Sequence, residues 1–273
     1  MNHTKISSTS NLKIKELLDI RKRKNRGEDS RFLIEGEHLI QMGIDSGIFF
    51  EEIFFTEFFR VKEEHNILKQ LSSKAGKAYE ITDHVLRKVS DTESPQGILA
   101  VVVQRKTSID ELQFTGKPLI VVADGIREPG NLGAIIRTSD AAGADAFVIL
   151  PGTCDLYNQK TIRATAGSLF NIPIIHSSAS ELSGWLRGHD ISLAITEPGD
   201  GIPVFETDLD KAVAIAFGNE AHGVCNELKS GADMSMRIPI YGKAESLNVA
   251  AAAAVILYEA AKQRRFVQGD TIK

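Results

Sequence analysis

Residues 119–145 read LIVVADGIREPGNLGAIIRTSDAAGAD, an apolar run followed by a glycine-bearing loop and an amphipathic segment. This order of strand, loop and helix is the unit in which phosphate and nucleotide sites are commonly built, because a helix N-terminus presents unpaired backbone N–H groups to a ligand. The stretch therefore predicts an α/β fold with a ligand site just beyond the end of the first strand.

The glycines of this loop match neither of the common phosphate-binding patterns. Gly125, Gly130 and Gly133 are spaced five and three residues apart, whereas a dinucleotide fingerprint requires G-x-G-x-x-G. Gly125 and Gly130 have the spacing of a P-loop, but Asn131 follows where the phosphate-binding lysine is required. A nucleotide-dependent enzyme of the ordinary doubly wound type is therefore disfavoured. The loop is distinguished instead by Asn131 at the start of the helix and Arg137 six residues later.

On this stretch alone, the plainer interpretation is that Asn131 caps the helix and that Arg137 is an exposed helix arginine. Two later segments change that interpretation. AIAFGNEAHGV (214–224) and RIPIYGKAESLNVAAAAAVILYEAA (237–261) each continue from a strand into a glycine-containing loop. Each loop also carries polar side chains, which are Asn219, Glu220, Ser246 and Asn248. Three strand ends that all deliver an amide or a carboxylate indicate a functional site.

Apolar runs alternate with helical patterns along the rest of the chain. From residue 119 the strand candidates are LIVVA, AFVIL, IPII, ISLAI, AVAIAF and MSMRI. Helices are predicted to begin near Asn131, Lys160, Ser180 and Leu247. Strands that are apolar along their length and alternate with helices predict a mostly parallel sheet covered on both faces. The first part reads as a smaller α/β unit, which gives a domain at 1–106, a linker at 107–117 and a second domain at 118–273.

Composition bounds the class of protein. The 273 residues are 42% hydrophobic and 25% charged, as in ordinary globular domains. The longest apolar run, Val249–Tyr258, is about half the length of a membrane span, and the N-terminus lacks the apolar core of a signal peptide. Two cysteines, Cys154 and Cys225, cannot form a disulfide framework or a four-thiolate zinc site. We therefore expect a cytoplasmic protein with no metal and no membrane association.

Charge is distributed unevenly along the chain. The net charge is −4, which by itself argues against a nucleic-acid partner, but residues 11–26, NLKIKELLDIRKRKNR, contain seven basic and two acidic residues. A basic helix on an otherwise acidic protein is a candidate for phosphate contact, and a solvated helix end is the alternative. The candidate residues are Lys15, Arg21, Arg23, Lys24 and Arg26.

The three loop segments together resemble, in order and spacing, the motifs of the SpoU (TrmH-like) branch of the SPOUT RNA methyltransferases. REPGNLGAIIRTSDAAGAD resembles the first motif, FGNEAHGV the second and IPIYGKAESLNVAAAAAVILYE the third. The N-terminal segments NLKIKELLDIRKRKNR, RFLIEGEHLI and SPQGILAVV are similar to the L30e-like substrate-binding domain of several members. One departure is Ala250, where many relatives have serine, and we expect it to have no catalytic consequence.

The resemblance implies transfer of a methyl group from S-adenosylmethionine to a ribose 2′-hydroxyl of structured RNA. It also implies a homodimer and a SPOUT domain with a C-terminal trefoil knot. By resemblance Arg137 is the central catalytic residue, which acts as a base, as a phosphate ligand or by lowering the pKa of the hydroxyl. The other implied catalytic residues are Asn131, Glu220, Ser246 and Asn248, with Glu220 orienting Arg137. The implied cofactor-binding residues are Gly218, Asn219, Ile238 and Leu247.

Two further expectations concern the RNA. Arg163, on the helix that begins near Lys160, is a candidate for RNA contact. The L30e-like domain favours large-subunit, 23S-type ribosomal RNA as the substrate. A tRNA 2′-O-methyltransferase is the first alternative, and a non-catalytic RNA-binding or ribosome-assembly factor on the same fold is the second. Retention of all five catalytic residues counts against the second alternative.

Overall fold

The structure is a computed structural model and describes residues 2–22, 31–62, 66–103, 107–197, 199 and 201–266. Three of the predicted RNA-binding residues, Arg23, Lys24 and Arg26, lie outside these ranges. The chain forms two compact units. The first contains Met1–Arg105 and Tyr157–Phe170, and the second contains Lys106–Leu156 and Asn171–Lys273. Residues 157–170 thus belong to the first unit, although the sequence suggested a single break near residue 106.

The first unit is a five-stranded mixed sheet with helices. Its strands are β1 (Thr4–Ile6), β2 (Arg31–Glu35), β3 (Phe50–Thr56), β4 (Ala75–Ile81) and β5 (Ile98–Val103). Its helices are α1 (Leu12–Lys22), α2 (Glu37–Asp45), α3 (Glu57–Lys62), α4 (Ile67–Leu71), α5 (Asp83–Val89) and α7 (Gln159–Thr165). The strand order is β1-β4-β3-β5-β2, in which β5 is antiparallel to both of its neighbours. The small α/β unit that the sequence predicted here is observed.

The segment 157–170 joins the first unit through specific contacts. Gln159, which is 7% exposed, donates from Nε2 to the carbonyl oxygen of Leu33 at 2.8 Å. The ring of Tyr157 packs against the ring of Phe32, with 4.4 Å between the ring centroids. Gly167 has φ +96°, and a Cβ there would lie 2.7 Å from the side chain of Met42. These contacts depend on side chains distant in sequence, so hydrophobic periodicity could not reveal them.

The second unit contains a seven-stranded sheet in which every pairing is parallel, as the sequence predicted. Its strands are β6 (Leu119–Ala123), β7 (Ala146–Ile149), β8 (Ile174–His176), β9 (Ser192–Thr196), β10 (Ile202–Pro203), β11 (Val213–Phe217) and β12 (Met234–Arg237). Its helices are α6 (Pro129–Ala142), α8 (Ala179–Gly188), α9 (Asn226–Gly231) and α10 (Val249–Phe266). The strand order is β10-β12-β9-β11-β6-β7-β8.

The register of this sheet brings the motif loops together. β6 pairs with β11 so that Ala123 lies opposite Phe217, and the loops that follow these two residues are therefore neighbours. β6 and β11 are fully buried, because their Val, Ile, Ala and Phe side chains are covered on both faces. α10 packs against α6, which brings the third motif to the same edge. Within the described ranges, no helix is long and apolar enough to cross a membrane.

Candidate active site

The loop after β11 is held in a tight turn by Asn219. Its Oδ1 accepts hydrogen bonds from the backbone N–H groups of Ala221 (2.9 Å) and His222 (3.2 Å). Its Nδ2 donates to the carbonyl oxygen of Gly125 at 2.9 Å, which ties the loop to the one that follows β6. Gly218 precedes it, and a Cβ there would lie 2.1 Å from the carbonyl carbon of Gly223. Only glycine therefore fits at position 218, and Asn219 has a structural role that the sequence did not assign.

Asp124 makes a second connection between these loops. Its Oδ2 accepts a hydrogen bond from the backbone N–H of Cys225 at 2.6 Å, and the residue is only 7% exposed. Burial raises the pKa of the Cys225 thiol, which favours the neutral form. Sequence reasoning passed over Asp124, although an acidic residue directly after a buried strand was an available signal.

α6 begins at Pro129, and its N-cap is Glu128, whose side chain accepts from Gly130 N at 3.5 Å. Asn131 is therefore in the first turn and is not the N-cap. Its side chain points instead to the loop after β11, where Nδ2 donates to Oε1 of Glu220 at 2.6 Å.

Asn248 completes the connection to the third motif. Its Nδ2 donates to Oδ1 of Asn131 at 3.2 Å, and its Oδ1 accepts from the backbone N–H of Ala250 at 3.0 Å. The second of these bonds caps the first turn of α10. Glu220, Asn131 and Asn248 thus form a continuous hydrogen-bonded chain, which we call the Glu220–Asn131–Asn248 chain. One residue from each motif contributes to it.

Arg137 lies on α6, outside that chain. It is exposed and makes no hydrogen bond or ion pair within the described part of the protein. The expectation that Glu220 orients Arg137 is wrong for this structure, because the Glu220 carboxylate bonds to Asn131. The reason is geometric, since six residues rotate an α-helix by about 600° and place Arg137 roughly 120° around the axis from Asn131.

A cavity of about 400 Å³ lies in the second unit beside this chain. The predicted residues Gly218, Asn219, Glu220, Ile238, Ser246 and Leu247 all line it, whereas Asn131, Arg137 and Asn248 do not. Apolar residues such as Ile238, Ile240 and Leu247 form part of its wall. The cavity therefore combines apolar residues with residues of the three loops that follow β9, β11 and β12.

An ion pair that the sequence did not indicate also lines the cavity. Glu197 follows β9, and its Oε1 lies 2.8 Å from Nζ of Lys229 on α9. Its Oε2 accepts a hydrogen bond from Oγ of Ser235 at 3.2 Å. The hydrogen bond and charge of Lys229 lower the pKa of the Glu197 carboxyl, with partial burial acting against them. Glu197 is therefore a persistent negative charge in the wall of the cavity.

The predicted RNA-binding residues within the described ranges have different surroundings. Lys15 is exposed on α1 and has no partner among the residues described. Arg21 is half-buried and donates from Nη1 to the carbonyl oxygens of Val89 (2.9 Å) and Ser90 (2.7 Å). Arg163 forms an exposed ion pair with Asp91 at 3.1 Å, within the first unit. In the described part of the chain, no group of three or more His, Cys, Asp or Glu side chains is arranged to hold a metal ion.

Comparison with protein families gives two matches. The SpoU rRNA Methylase family matches residues 118–258, and the MRM3-like substrate binding domain matches residues 11–100. These two ranges contain the three loop motifs and the basic helix, respectively.

Individual relatives agree along almost the whole chain. The 23S rRNA (guanosine(2553)-2′-O)-methyltransferase RlmP of Bacillus subtilis is 36% identical over 93% of this chain and 97% of its own. The structure of an AdoMet-bound rRNA methyltransferase from Sinorhizobium meliloti superposes with a TM-score of 0.85 at 29% identity, covering 94% of this chain and 97% of that one. A structure described as an RNA 2′-O ribose methyltransferase gives 0.80 at 36% identity, covering 96% and 99%.

Proposed function

The chain belongs to the SpoU rRNA methylase family, and from this premise we propose that it transfers a methyl group from S-adenosylmethionine to a ribose 2′-hydroxyl of 23S-type ribosomal RNA. The observation that carries the proposal is the Glu220–Asn131–Asn248 chain beside a cavity of about 400 Å³. The substrate named for the Bacillus relative and the AdoMet bound in the Sinorhizobium structure support the substrate class and the cofactor.

The residues of the cavity fit S-adenosylmethionine. A volume of about 400 Å³ is in the usual range for small-molecule pockets, and accessible side chains such as Ile238 and Leu247 suit an adenine ring. Three glutamates, Glu197, Glu220 and Glu245, line the cavity against two cations, Lys229 and Arg237, and the excess of negative charge favours a sulfonium cation. When bound, the cofactor supplies an electrophilic methyl group. We assign its binding to Gly218, Asn219, Ile238 and Leu247, largely through their backbone groups.

The Glu220–Asn131–Asn248 chain suits the proton chemistry of a weakly acidic hydroxyl. Asn131 donates to one oxygen of the Glu220 carboxylate and leaves the other oxygen to accept the ribose O–H. We assign Glu220 the role of proton acceptor, Asn131 that of orienting it, and Asn248 that of holding Asn131. The hydroxyl of Ser246, which lines the cavity, contacts the ribose or the cofactor.

Arg137 has a different role in the proposal. A guanidinium with a pKa above about 12 is a poor base but a good ligand for phosphate. Arg137 is exposed and has no partner among the described residues, so its donors are available to an RNA phosphate. We propose that it holds the phosphate next to the target ribose and that its charge favours loss of the hydroxyl proton.

We also propose the domain roles and the assembly that the resemblance implies. Residues 1–106 bind substrate and 107–117 link the domains, whereas 118–273, apart from the segment 157–170 that belongs to the first unit, carry out methyl transfer and contain a trefoil knot in their C-terminal part. In the second unit, α10 packs against the turn Val204–Glu206, and each element carries an exposed aromatic residue, Phe205 on the turn (53% exposed) and Tyr258 on α10 (55% exposed). We take these exposed apolar side chains on two packed elements as support for a homodimer. Since the substrate is ribosomal RNA, the proposed compartment is the cytoplasm.

Methyl transfer to defined RNA pools tests the function. The protein is incubated with labelled S-adenosylmethionine and separately with 23S rRNA, 16S rRNA and total tRNA, and the modified nucleotide is located by primer extension at low nucleotide concentration. We expect label only in 23S rRNA, in a single 2′-O-methylribose. Label confined to tRNA would establish the tRNA alternative, and no label in any pool would leave a non-catalytic RNA-binding factor.

The proposed knot and homodimer have tests of their own. Sedimentation should give a dimer for the natural protein and a monomer for Phe205→Glu/Tyr258→Glu. A natural protein that sediments as a monomer would contradict the homodimer. A crystallographic trace of residues 202–266 would establish or exclude the knot.

A further inference from the structure

Helices α1 and α5 of the first unit lie side by side. Ile14 of α1 and Val85 of α5 are both fully buried and belong to one apolar cluster. Arg21, near the end of α1, donates from Nη1 to the carbonyl oxygens of Val89 and Ser90, which end α5. These two bonds satisfy carbonyl groups that the end of a helix leaves unpaired, and they hold the last turn of α1 against the last turn of α5.

Both of these last turns carry exposed cations. Lys22 follows Arg21 on α1, and Arg87 and Lys88 lie in the last turn of α5. Lys15 precedes Lys22 by seven residues, which is about 20° short of two helical turns, so the two lysines lie on the same side of α1. We refer to the exposed cations of these two packed helices, Lys15, Lys22, Arg87 and Lys88, as the α1–α5 face.

The cations of this face differ from most others in the unit because they have no hydrogen-bond or ion-pair partner among the described residues. Lys13, for example, lies 2.6 Å from Glu16 and 2.8 Å from Glu52, and Arg60 bonds to Glu80 at 3.0 Å. Among the described residues of the first unit, the exposed cations without a hydrogen bond, ion pair or ring contact are Lys15, Lys22, Lys69, Lys77, Arg87 and Lys88. Four of these six belong to the α1–α5 face.

Helix stability alone does not account for this cluster. Cations in a last turn interact favourably with the helix dipole, which would explain Lys22, Arg87 and Lys88. Lys15, however, is the fourth residue of α1, where the dipole gives a cation no advantage. Asp83, one turn before Arg87 on α5, forms no ion pair with it within the described ranges.

We propose that the α1–α5 face binds the phosphate backbone of the substrate RNA, an inference that rests on the proposed function. Exposed cations on two helices that Arg21 holds together suit backbone recognition, because phosphate contacts position an RNA without reading its sequence. Structured RNA is recognised largely through its shape and backbone. Arg87 and Lys88 are thereby added to the RNA-binding residues, and Arg21 supports the surface instead of contacting the RNA.

The test compares two double variants that lose the same charge. Arg87→Gln/Lys88→Gln removes two cations of the face, and Lys69→Gln/Lys77→Gln removes two exposed, unpaired cations elsewhere in the same unit. Binding of a 23S rRNA transcript is measured at several salt concentrations, and binding of S-adenosylhomocysteine is measured by calorimetry. Each phosphate contact contributes about 0.7–0.9 to the slope of log K against log salt.

The expected result is a slope smaller in magnitude by about 1.4–1.8 for Arg87→Gln/Lys88→Gln, with no change for the control. If the binding curves converge at 1 M salt, this corresponds to a loss of affinity on the order of 100-fold at 0.05 M. Equal slopes for the two double variants, in a natural protein that binds RNA and methylates it, would overturn this inference alone. A natural protein that binds neither RNA nor S-adenosylhomocysteine would overturn the proposed function as well.

Single variants provide a second route if a double variant does not fold. Lys22→Gln and Lys88→Gln each remove one cation of the α1–α5 face, and Lys69→Gln is their control. Each should reduce the slope by about 0.7–0.9 relative to that control. Slopes equal to the control slope would again exclude the α1–α5 face as the phosphate-binding surface.

Discussion

Replacement of Glu220 by glutamine tests the Glu220–Asn131–Asn248 chain at its charged end. In the structure, Oε1 of Glu220 accepts a hydrogen bond from Nδ2 of Asn131 at 2.6 Å. Glutamine has nearly the same size and keeps a carbonyl oxygen for Asn131. The substitution therefore removes the negative charge and the acceptor assigned to the ribose hydroxyl, while the loop that follows β11 keeps its hydrogen bond.

The expected effect is large on the rate and small on stability. A positioned general base contributes about 10²–10⁴-fold, so kcat should fall by a factor in that range. Hydrogen bonds to charged groups contribute about 1.5–3 kcal/mol and neutral ones about 0.5–1.5 kcal/mol. Because Glu220 is exposed, solvent screening reduces this difference, and the free energy of unfolding should change by less than about 1 kcal/mol.

Single-turnover methyl transfer to 23S rRNA measures the rate of the chemical step. Calorimetry with S-adenosylhomocysteine and unfolding in urea measure cofactor affinity and stability in parallel. Glu227→Gln is the matched control, because Glu227 is an exposed glutamate on α9 that does not line the cavity. We expect Glu220→Gln to keep cofactor affinity within a few-fold and to lose methyl transfer, and Glu227→Gln to keep both.

Two results would refute this reasoning. A rate within about threefold of the natural protein would show that Glu220 does not accept the proton, since a general base is worth at least about 10²-fold. Loss of S-adenosylhomocysteine binding in proportion to the rate would instead assign Glu220 to the cofactor.

Three further predictions concern other parts of the second unit. Arg137→Ala should abolish methyl transfer and leave cofactor affinity, measured by calorimetry, unchanged. The control Arg187→Ala, at an exposed arginine on α8, should retain both methyl transfer and cofactor affinity. Equal loss of rate and cofactor binding in Arg137→Ala would contradict the phosphate role. Gly218→Ala should destabilise the protein by about 1–3 kcal/mol or more in urea unfolding, because its Cβ would lie 2.1 Å from a backbone carbonyl carbon; unchanged stability would disprove this packing constraint. Lys229 lowers the pKa of Glu197 below its ordinary 4.5, so the pair stabilises the fold above that pH and this contribution is lost as pH falls through the lowered pKa. The free energy of unfolding, measured from pH 7 to pH 3, should therefore fall less steeply in Glu197→Gln than in the natural protein. Identical pH dependence in the two proteins would show that the Glu197–Lys229 ion pair does not stabilise the fold.

The regular elements of the second unit could be predicted because their signals are local. LIVVA is β6 at its observed bounds, and the runs predicted for β7, β9, β11 and β12 are each correct to within about a residue at either end. A strand buried on both faces must be apolar along its whole length, and such apolar runs can be identified directly in the sequence. Two-residue β10 has no such pattern, because its pairing with β12 depends on tertiary position.

The candidate site was only partly predictable. The polar residues of the three loops were visible as departures from apolar strands, and the structure brings Asn131, Glu220 and Asn248 into one hydrogen-bonded chain. Which side chains would bond to each other was not visible. The expected partner of Glu220 was Arg137, but rotation along α6 directs that side chain elsewhere.

The amino-acid sequence by itself determined the parallel sheet, the polar loops at its edge and the identity of the residues available for chemistry. Local periodicity and residue type carry that information, because burial on both faces and loop composition are properties of contiguous segments. Only the tertiary structure decided the pairing of Glu220 with Asn131, the ion pair of Glu197 with Lys229, and the use of Arg21 to hold α1 against α5. Each of these contacts joins residues at least 32 positions apart in the sequence, and such distances are set by the register of strands and the packing of helices.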